Sequence, residues 1–212
     1  MNSGKSTQLL QIAHNYEQMG KEVLIYKPLT DTRDKEYVKS RIGLERKVDF
    51  VFGKQNDLYG ITYSSIIFSN LMSTRRADCS SIPSDFGNAV DCILIDEAQF
   101  LTKKQVWQLT GVVDSLGISV IAFGLRTDFQ GNLFEGSQWL LAWADDIQEI
   151  QTTSVCHCGK KARFNLRVNE DGYIVRDGEQ VLCGGNDRYI SVCRKHFNFL
   201  LARILPSSIS GR

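Results

Sequence analysis

The sequence predicts an α/β fold in which helices flank a mostly parallel sheet, followed by a small domain that carries cysteines. Strand patterns alternate with helical patterns along most of the chain, as they do in βαβ units. The strand patterns at 23–26 and 92–95 are continuously apolar, which is typical of strands buried on both faces. From Cys156 onward the alternation of strand and helix patterns ends, and short strand patterns surround a turn. We place the domains at 1–154 and 155–204, with a flexible tail at 205–212.

The individual elements follow from apolar spacing, capping residues and glycines. The elements predicted in the first domain are a helix that ends at Gly20, a strand at 23–26, a polar loop or short helix at 27–47, a weakly helical stretch at 58–72, a strand at 92–96, a helix from the capping box at Thr102 to Gly117, a strand at 119–123 and a short helix at 136–144. Those predicted in the second domain are strands at 163–168, 173–175 and 189–192, a turn at 169–172 and a helix at 194–204.

Composition excludes several classes of protein. The 212 residues include 25 Lys and Arg against 24 Asp and Glu, a net charge of +1, which argues against broad binding of nucleic acid. No apolar run approaches the roughly 18 residues of a membrane span. The first residues carry no apolar signal region, and six cysteines are too few for a disulfide scaffold. We therefore expect a protein of the reducing cytoplasm, without a membrane or nucleic-acid partner.

A phosphate site is indicated at the beginning of the chain. Gly4-Lys5-Ser6-Thr7 stands directly before an amphipathic helix and forms the second half of a P-loop. Backbone N–H groups at a helix N-terminus bind phosphate oxygens, and a glycine lets the backbone approach them. Lys5 would neutralise the β- and γ-phosphates, and the Ser6 hydroxyl would ligate Mg²⁺. Taken alone, the half motif is equally compatible with a chance sequence before a surface helix.

A P-loop joins a central strand to a helix, whereas this chain begins inside the loop. We therefore expect that the chain as given omits roughly ten residues, the size of a strand and the loop entrance.

The strand at 92–96 supplies the acidic half of a nucleotide site. Four apolar residues lead into Asp96 and Glu97, as in a Walker B strand. Asp96 would hold Mg²⁺ at the carboxyl end of the strand, and Glu97 would act as a base for a hydroxyl or water. The two half motifs stand in the expected order with strand–helix units between them. Together they predict a protein that uses a nucleoside triphosphate.

Cysteine and histidine pairs flank the loop-rich second domain. Zn²⁺ in a structural site takes four N or S ligands and cross-links a domain too small for a large core. The predicted ligands are Cys156, Cys158, Cys193 and His196, with Cys183 and His157 as substitutes. Thiols without a metal remain the alternative, and we interpret Cys79 and Cys92 as ordinary loop and core residues. The segment is thus predicted to be a zinc-ribbon-like domain.

Seven motifs follow one another along the chain, at 2–7, 31–33, 40–44, 96–101, 124–131, 184–189 and 191–196. In this order they resemble the zinc-containing, tetramer-forming thymidine kinases, especially those of enteric-type bacteria. The similarity covers nearly the whole chain. It implies a P-loop NTPase fold of the RecA-like type, with the same four zinc ligands and a homotetrameric assembly. It also implies transfer of a phosphoryl group from ATP to the 5′-hydroxyl of thymidine, with Mg²⁺.

The resemblance assigns roles to individual residues. Glu97 corresponds to the base that accepts the hydroxyl proton, and Phe129 to the aromatic residue beside the nucleoside. The residues implied for ATP and Mg²⁺ are Asn2, Ser3, Gly4, Lys5, Ser6, Thr7, Arg33, Asp96 and Gln99. The segment implied to close over thymine, called the lasso, comprises Gln180, Val181, Leu182, Cys183 and Gly184, together with Tyr189.

Other interpretations stay open on the sequence alone. Phe129 is also compatible with an ordinary core position, and Arg33 and Arg126 with structural ion pairs instead of phosphate contacts. The Asp-Glu-Ala-Gln motif occurs in helicase-like ATPases too, although such motors need a second lobe and a cationic track. A zinc-ribbon module with a non-catalytic ATP site is the third possibility.

Overall fold

The computed structural model describes residues 4–30, 34, 36–74, 90–150, 154–180 and 188–202; for 71–74, 188 and 202 it describes the backbone alone. The helices are α1 (Lys5–Gln18), α2 (Leu58–Thr74), α3 (Lys103–Leu116), α4 (Glu135–Trp143) and α5 (Arg194–Ala202), with a 3₁₀ turn at Ala98–Phe100. The strands are β1 (Val23–Pro28), β2 (Tyr37–Lys39), β3 (Glu45–Lys47), β4 (Phe50–Phe52), β5 (Cys92–Ile95), β6 (Ser119–Ala122), β7 (Phe164–Val168), β8 (Ile174–Val175) and β9 (Arg188–Val192).

A parallel four-stranded sheet forms the centre of the first domain, in the order β4-β1-β5-β6. Each residue of β5 is buried, as the continuous apolar pattern predicts. One face of the sheet, with Tyr26 and Ile95, packs into a core that includes residues of α2 and α3. The other face, with Ile25 and Leu94, packs against α1. The predicted α/β fold with a parallel sheet flanked by helices is confirmed.

Helix α1 starts from a glycine, as the phosphate motif requires. Gly4 has φ 78° and ψ 14°, a left-handed conformation that costs little without a Cβ atom. Its carbonyl accepts the first helical hydrogen bond, from the amide of Gln8 at 2.9 Å. Leu9, Leu10 and Ala13 then bury one side of the helix. The helix therefore projects its N-terminal residues from a fixed position on the sheet.

The region 27–47 differs from the prediction of a polar loop or short helix. Strands β2 and β3 form an antiparallel hairpin there, and β4 follows as an edge strand of the central sheet. Val38 is fully buried in the α1-side core. Lys27 is also buried, and its ammonium donates to the carbonyls of Asp34 and Tyr37. Strands of three residues are too short to show the alternation of apolar and polar residues that identifies a strand. The buried lysine also makes the segment look more solvent-exposed in the sequence than it is in the structure.

The second domain contains an antiparallel sheet in the order β8-β7-β9, followed by α5. Its core contains Cys156, Leu166, Val192, Cys193 and Phe197. The predicted strands, the turn at 169–172 and the final helix are present, with ends shifted by one or two residues where they are described. The domain boundary near residue 154 stays a prediction.

Candidate active site and metal centre

The acidic pair lies at the carboxyl end of β5, beside β1. Asp96 is 3% exposed and Glu97 is 7% exposed. Glu97 has φ 49°, a left-handed conformation that is uncommon for a residue other than glycine. It initiates the 3₁₀ turn. Strain of this kind is concentrated at functional sites, where the surrounding structure holds the residue in place.

Lys5, the lysine of the predicted phosphate site, lies beside this acidic pair. Lys5 is the first residue of α1, and its Nζ lies 3.9 Å from Oε1 of Glu97. Both side chains are nearly buried, with 13% and 10% exposure, so solvent screens their attraction little. Ser6 and Thr7 follow on the first helical turn and are half-buried. The helix start and the end of β5 therefore converge on one place, as the two half motifs predict.

Gln99 fixes the second oxygen of the glutamate. Its Nε2 donates to Oε2 of Glu97 at 2.6 Å, and its Oε1 accepts from the amide of Leu125 at 3.0 Å. Two glycines leave room for the 3₁₀ turn at Ala98–Phe100. A Cβ atom at Gly124 would lie 3.0 Å from the Gln99 amide, and one at Gly136 would lie 2.6 Å from the Ala98 carbonyl oxygen. The turn is thus held by both its hydrogen bonds and its close packing.

Asp96 has the properties of a cation ligand. Its Oδ1 is buried and has no hydrogen-bond partner in the described structure. Burial raises the pKa of its carboxyl to about 6, and the charge of Glu97 adds to the shift, while Lys5 and Lys27 oppose it. A buried carboxylate oxygen without a partner is costly unless a cation or donor satisfies it. A hard, oxygen-binding ion such as Mg²⁺ fits this donor.

The structure describes three of the residues predicted for the nucleoside: Phe129, in the loop that follows β6, and Gln180 and Tyr189 of the second domain. The Phe129 ring is 2% exposed, and the guanidinium of Arg167 stands over it at 5.0 Å from the centroid. Nε2 of Gln180 donates to Oδ2 of Asp128 at 2.9 Å. Tyr189 pairs with Arg167 across β7 and β9 and is partly exposed. The structure therefore brings Phe129, Gln180 and Tyr189 around two residues, Asp128 and Arg167, that our sequence analysis did not select.

A sequence signal existed for Arg167. It interrupts the otherwise apolar end of β7 with a charge, and charged residues inside strands are rarely buried without a partner. Arg126, in contrast, lies over the Phe164 ring at 5.8 Å. Lys161, Arg163 and, least of the three, Arg126 lower the pKa of Glu149. These contacts favour the structural interpretation of Arg126. Seven predicted site residues lie outside the described residues: Asn2, Ser3, Arg33, Val181, Leu182, Cys183 and Gly184.

The predicted metal ligands form one cluster. The ligand atoms of Cys156, Cys158, Cys193 and His196 all lie within 4.8 Å of one another. The first two stand in the turn before β7, and the other two stand at the start of α5. His157 lies beside His196, with ring centroids 4.1 Å apart and ring planes 39° apart, but it does not belong to the cluster.

The chemistry of the cluster suits zinc. Desolvation raises the pKa of the Cys156 thiol, but hydrogen bonds from the backbone of Cys158 and Cys193 and from His196 together lower it to about 6. The thiolate is the form that binds a metal. Three thiols and one imidazole make a closed tetrahedral set of the kind found in structural zinc sites. The cluster could therefore hold a zinc ion.

A parallel sheet with a lysine at a helix start, facing buried carboxylates on the neighbouring strand end, defines a nucleotide-binding protein of the P-loop class. The family model described as "Thymidine kinase" matches residues 1–197. The chain is 49% identical over 198 residues to the thymidine kinase of Mannheimia succiniciproducens, covering 93% of this chain and 90% of that protein. It is 46% identical over 204 residues to that of Photobacterium profundum, covering 96% and 95%. The chain therefore belongs to the thymidine kinase family.

A third relative is the thymidine kinase of Rhodopirellula baltica, which is 48% identical over 200 residues, covering 93% of this chain and 83% of that protein. The family consists of enzymes, namely deoxynucleoside kinases. Among the helices of the described part of the chain, none combines the length and apolarity needed to cross a membrane.

Proposed function

We propose that this protein transfers the γ-phosphoryl group of ATP to the 5′-hydroxyl of thymidine and so produces dTMP. Membership of the family supports this reaction, and one observation carries it: Lys5 Nζ lies 3.9 Å from Glu97 Oε1, next to the buried Asp96. That spacing sets a phosphate-binding cation beside a base. Phosphoryl transfer depends mostly on such positioning and on charge stabilisation.

Glu97 is the base in this proposal. The oxygen of the 5′-hydroxyl attacks the γ-phosphorus of ATP, the bond between that phosphorus and the β–γ bridging oxygen breaks, and ADP leaves. The hydroxyl proton passes to a carboxylate oxygen of Glu97. Lys5 near Oε1 and Gln99 on Oε2 hold the carboxylate in one orientation, so that it need not reorganise during the reaction. A carboxylate set beside the acceptor hydroxyl is the standard arrangement for general base catalysis.

The ATP site in this proposal comprises Asn2, Ser3, Gly4, Lys5, Ser6, Thr7, Arg33, Asp96 and Gln99. Backbone amides at the start of α1 bind the phosphates, and Lys5 neutralises them. Oδ1 of Asp96 has no partner among the described residues, which supports the role of Asp96 as the Mg²⁺-holding residue. When bound, Mg²⁺ neutralises charge that develops on the β- and γ-phosphate oxygens.

The thymidine site in this proposal comprises Phe129, Gln180, Val181, Leu182, Cys183, Gly184 and Tyr189. The contact of Phe129 with Arg167 of the small domain and the hydrogen bond from Gln180 to Asp128 support it. We further propose that the Cys/His cluster holds a structural Zn²⁺ ion, that the protein is a cytoplasmic homotetramer, and that it serves nucleotide salvage. Light scattering tests the assembly, for which we expect four times the 24.0 kDa mass of the chain.

The reaction is tested with ATP and each of the four deoxynucleosides in turn. We expect ADP and a deoxynucleoside monophosphate to form with thymidine, and little of either with deoxyadenosine, deoxyguanosine or deoxycytidine. ATP hydrolysis that needs no nucleoside and rises with added DNA would instead support a nucleic-acid-stimulated ATPase. Absence of turnover in a folded, metal-loaded protein would support the non-catalytic module.

We also predict that the affinity for Mg·ATP falls as the pH drops below about 6, the pKa of buried Asp96. A carboxyl with a raised pKa binds its proton more tightly in the folded than in the unfolded protein. Ionisation of Asp96 therefore lowers the stability of the free protein as the pH rises from about 4 to about 6. The ionised form is the one that binds Mg²⁺, so nucleotide binding is strongest above this range.

Calorimetric titrations of Mg·ATP between about pH 5 and pH 8 measure this dependence. ATP itself ionises in the same range, and an Asp96→Asn variant separates the two effects because it keeps the ATP contribution. We expect the variant to bind more weakly at high pH and to lose the part of the pH dependence that belongs to Asp96. An identical pH dependence in both proteins would contradict the prediction.

A further inference from the structure

The loop between β6 and α4 (residues 123–134, the β6–α4 loop) is tied to the small domain by three separate contacts. Phe129 lies under Arg167, Asp128 accepts from Gln180, and Gln130 donates through Nε2 to the Arg176 carbonyl at 2.8 Å. The three partners belong to β7 and to the chain between β8 and residue 180. These contacts hold two sides of the proposed thymidine site against each other.

Arg167 is the central contact. Its neighbour Leu166 points into the core of the small domain, so alternation along β7 directs Arg167 to the opposite face. There it is 5% exposed, stands over Phe129 and donates through Nη1 to the Glu179 carbonyl at 3.2 Å. A buried guanidinium is retained only where its partners compensate for lost hydration. One side chain thus connects the ring of Phe129 to the chain that leads into Gln180.

Asp128, in the β6–α4 loop, also connects this loop to the small domain. It is 5% exposed, and its Oδ1 accepts from the amides of Gln130 and Asn132, both at 2.9 Å. Its Oδ2 accepts from Gln180. One carboxylate therefore shapes the turn that carries Phe129 and fixes a residue of the small domain.

Close packing also connects the β6–α4 loop to the small domain. Gly131 has φ 90°, and a Cβ atom there would lie 3.1 Å from the Phe197 ring of α5. The β6–α4 loop thus contacts the core of the small domain directly. The Lys5–Glu97 contact belongs to α1 and the end of β5, and the β6–α4 loop supports it only at its start, where the Leu125 amide donates to Gln99. The three contacts with the small domain lie further along the loop.

We propose that Arg167 and Asp128 are positioning residues for the nucleoside, which hold Phe129 and Gln180 in one arrangement before thymidine binds. This inference rests on the proposed function, since it takes thymidine as the ligand. A preorganised site loses less conformational freedom on binding, so breaking these contacts weakens nucleoside affinity. None of these three contacts involves the start of α1, where the phosphates are proposed to bind, and ATP affinity is therefore kept.

The test measures dissociation constants for thymidine and ATP, together with kcat, in an Arg167→Met variant. We expect the Kd for thymidine to rise roughly 10–100-fold, the combined loss of a cation–π contact and a charged hydrogen bond. The Kd for ATP should stay within about twofold. Arg167→Lys keeps a cation over the ring without the planar fork, and should recover part of the affinity. Arg163→Met, at an exposed arginine of the same domain, is the matched control.

Zinc content and thermal unfolding of each variant show whether the fold is intact. Gln130→Ala provides a second test at a half-buried residue, with an expected loss of about fivefold in thymidine affinity for one neutral hydrogen bond. An unchanged Kd for thymidine in folded Arg167→Met, or in Gln130→Ala if the first variant does not fold, overturns the inference. Equal losses for ATP and thymidine overturn it as well. If the unaltered protein binds no thymidine, the proposed function itself is wrong.

Discussion

Replacing Glu97 by glutamine lowers kcat for thymidine phosphorylation by about 10²–10⁴-fold, the usual contribution of a general base. The amide cannot take up the proton of the 5′-hydroxyl. Its oxygen can still accept the hydrogen bond from Gln99, so the side chain keeps its place in the turn. We expect ATP affinity to change little, because the proposed phosphate site is at the start of α1. The expected signature is thus a loss of turnover without a matching loss of nucleotide binding.

Single-turnover kinetics and direct titration with ATP separate these two quantities. Glu170→Gln is a matched control, since it makes the same chemical change at an exposed residue of the turn at 169–172. The control should retain full activity. Turnover close to that of the unaltered protein in Glu97→Gln would remove Glu97 from the role of base.

Features encoded by neighbouring residues could be predicted from the sequence. The apolar run of β5 is buried at every position. The capping box at Thr102 is present, and the backbone N–H of Gln105 donates to the Thr102 hydroxyl. The two half motifs of the phosphate site also meet as predicted. In each case the local pattern has one structural solution in a parallel α/β sheet, because functional residues gather at the carboxyl ends of its strands.

Features that depend on contacts between distant residues could not be predicted. The hairpin of β2 and β3 has strands of three residues, and its burial depends on Val38 reaching the core beside α1. Arg167 and Phe129 meet only because the small domain folds back over the β6–α4 loop. Apolar periodicity contains no signal for such a contact, and a buried charge reads as a surface residue until its partners are known.

The Cys/His cluster could be predicted in part from neighbouring residues and depends in part on contacts between distant residues. Each of its two halves is a local motif, so Cys156 and Cys158 on one side and Cys193 and His196 on the other were predicted from spacing. Only the fold brings their ligand atoms within 4.8 Å. The antiparallel pairing of β7 with β9 does this, since it sets the start of α5 beside the turn that precedes β7. The cluster therefore depends on the sheet.

We expect that replacing Cys193 by serine releases the zinc ion proposed for the Cys/His cluster and unfolds the small domain. Cys193 is buried at the junction between β9 and α5, so a bond from its thiolate to the proposed zinc ion would cross-link that junction. Structural zinc contributes about 10–16 kcal/mol of apparent binding free energy in small domains, which matches or exceeds the roughly 5–15 kcal/mol that stabilises a typical domain. A serine hydroxyl does not replace a thiolate ligand, and three remaining ligands leave an open, weaker site.

Zinc quantitation and thermal unfolding of purified protein measure the effect, with an expected loss of most of the bound metal. Cys92→Ala is the matched control, because Cys92 is buried in β5 and lies outside the cluster. That variant creates a small cavity and lowers stability by about 1 kcal/mol, but it keeps its zinc. Since Phe197 of the small domain packs on Gly131, loss of the metal also weakens thymidine binding, whereas Cys92→Ala does not. Full zinc content in Cys193→Ser would show that the cluster is not the metal site, and the support of the nucleoside site would then have to come from the protein contacts alone.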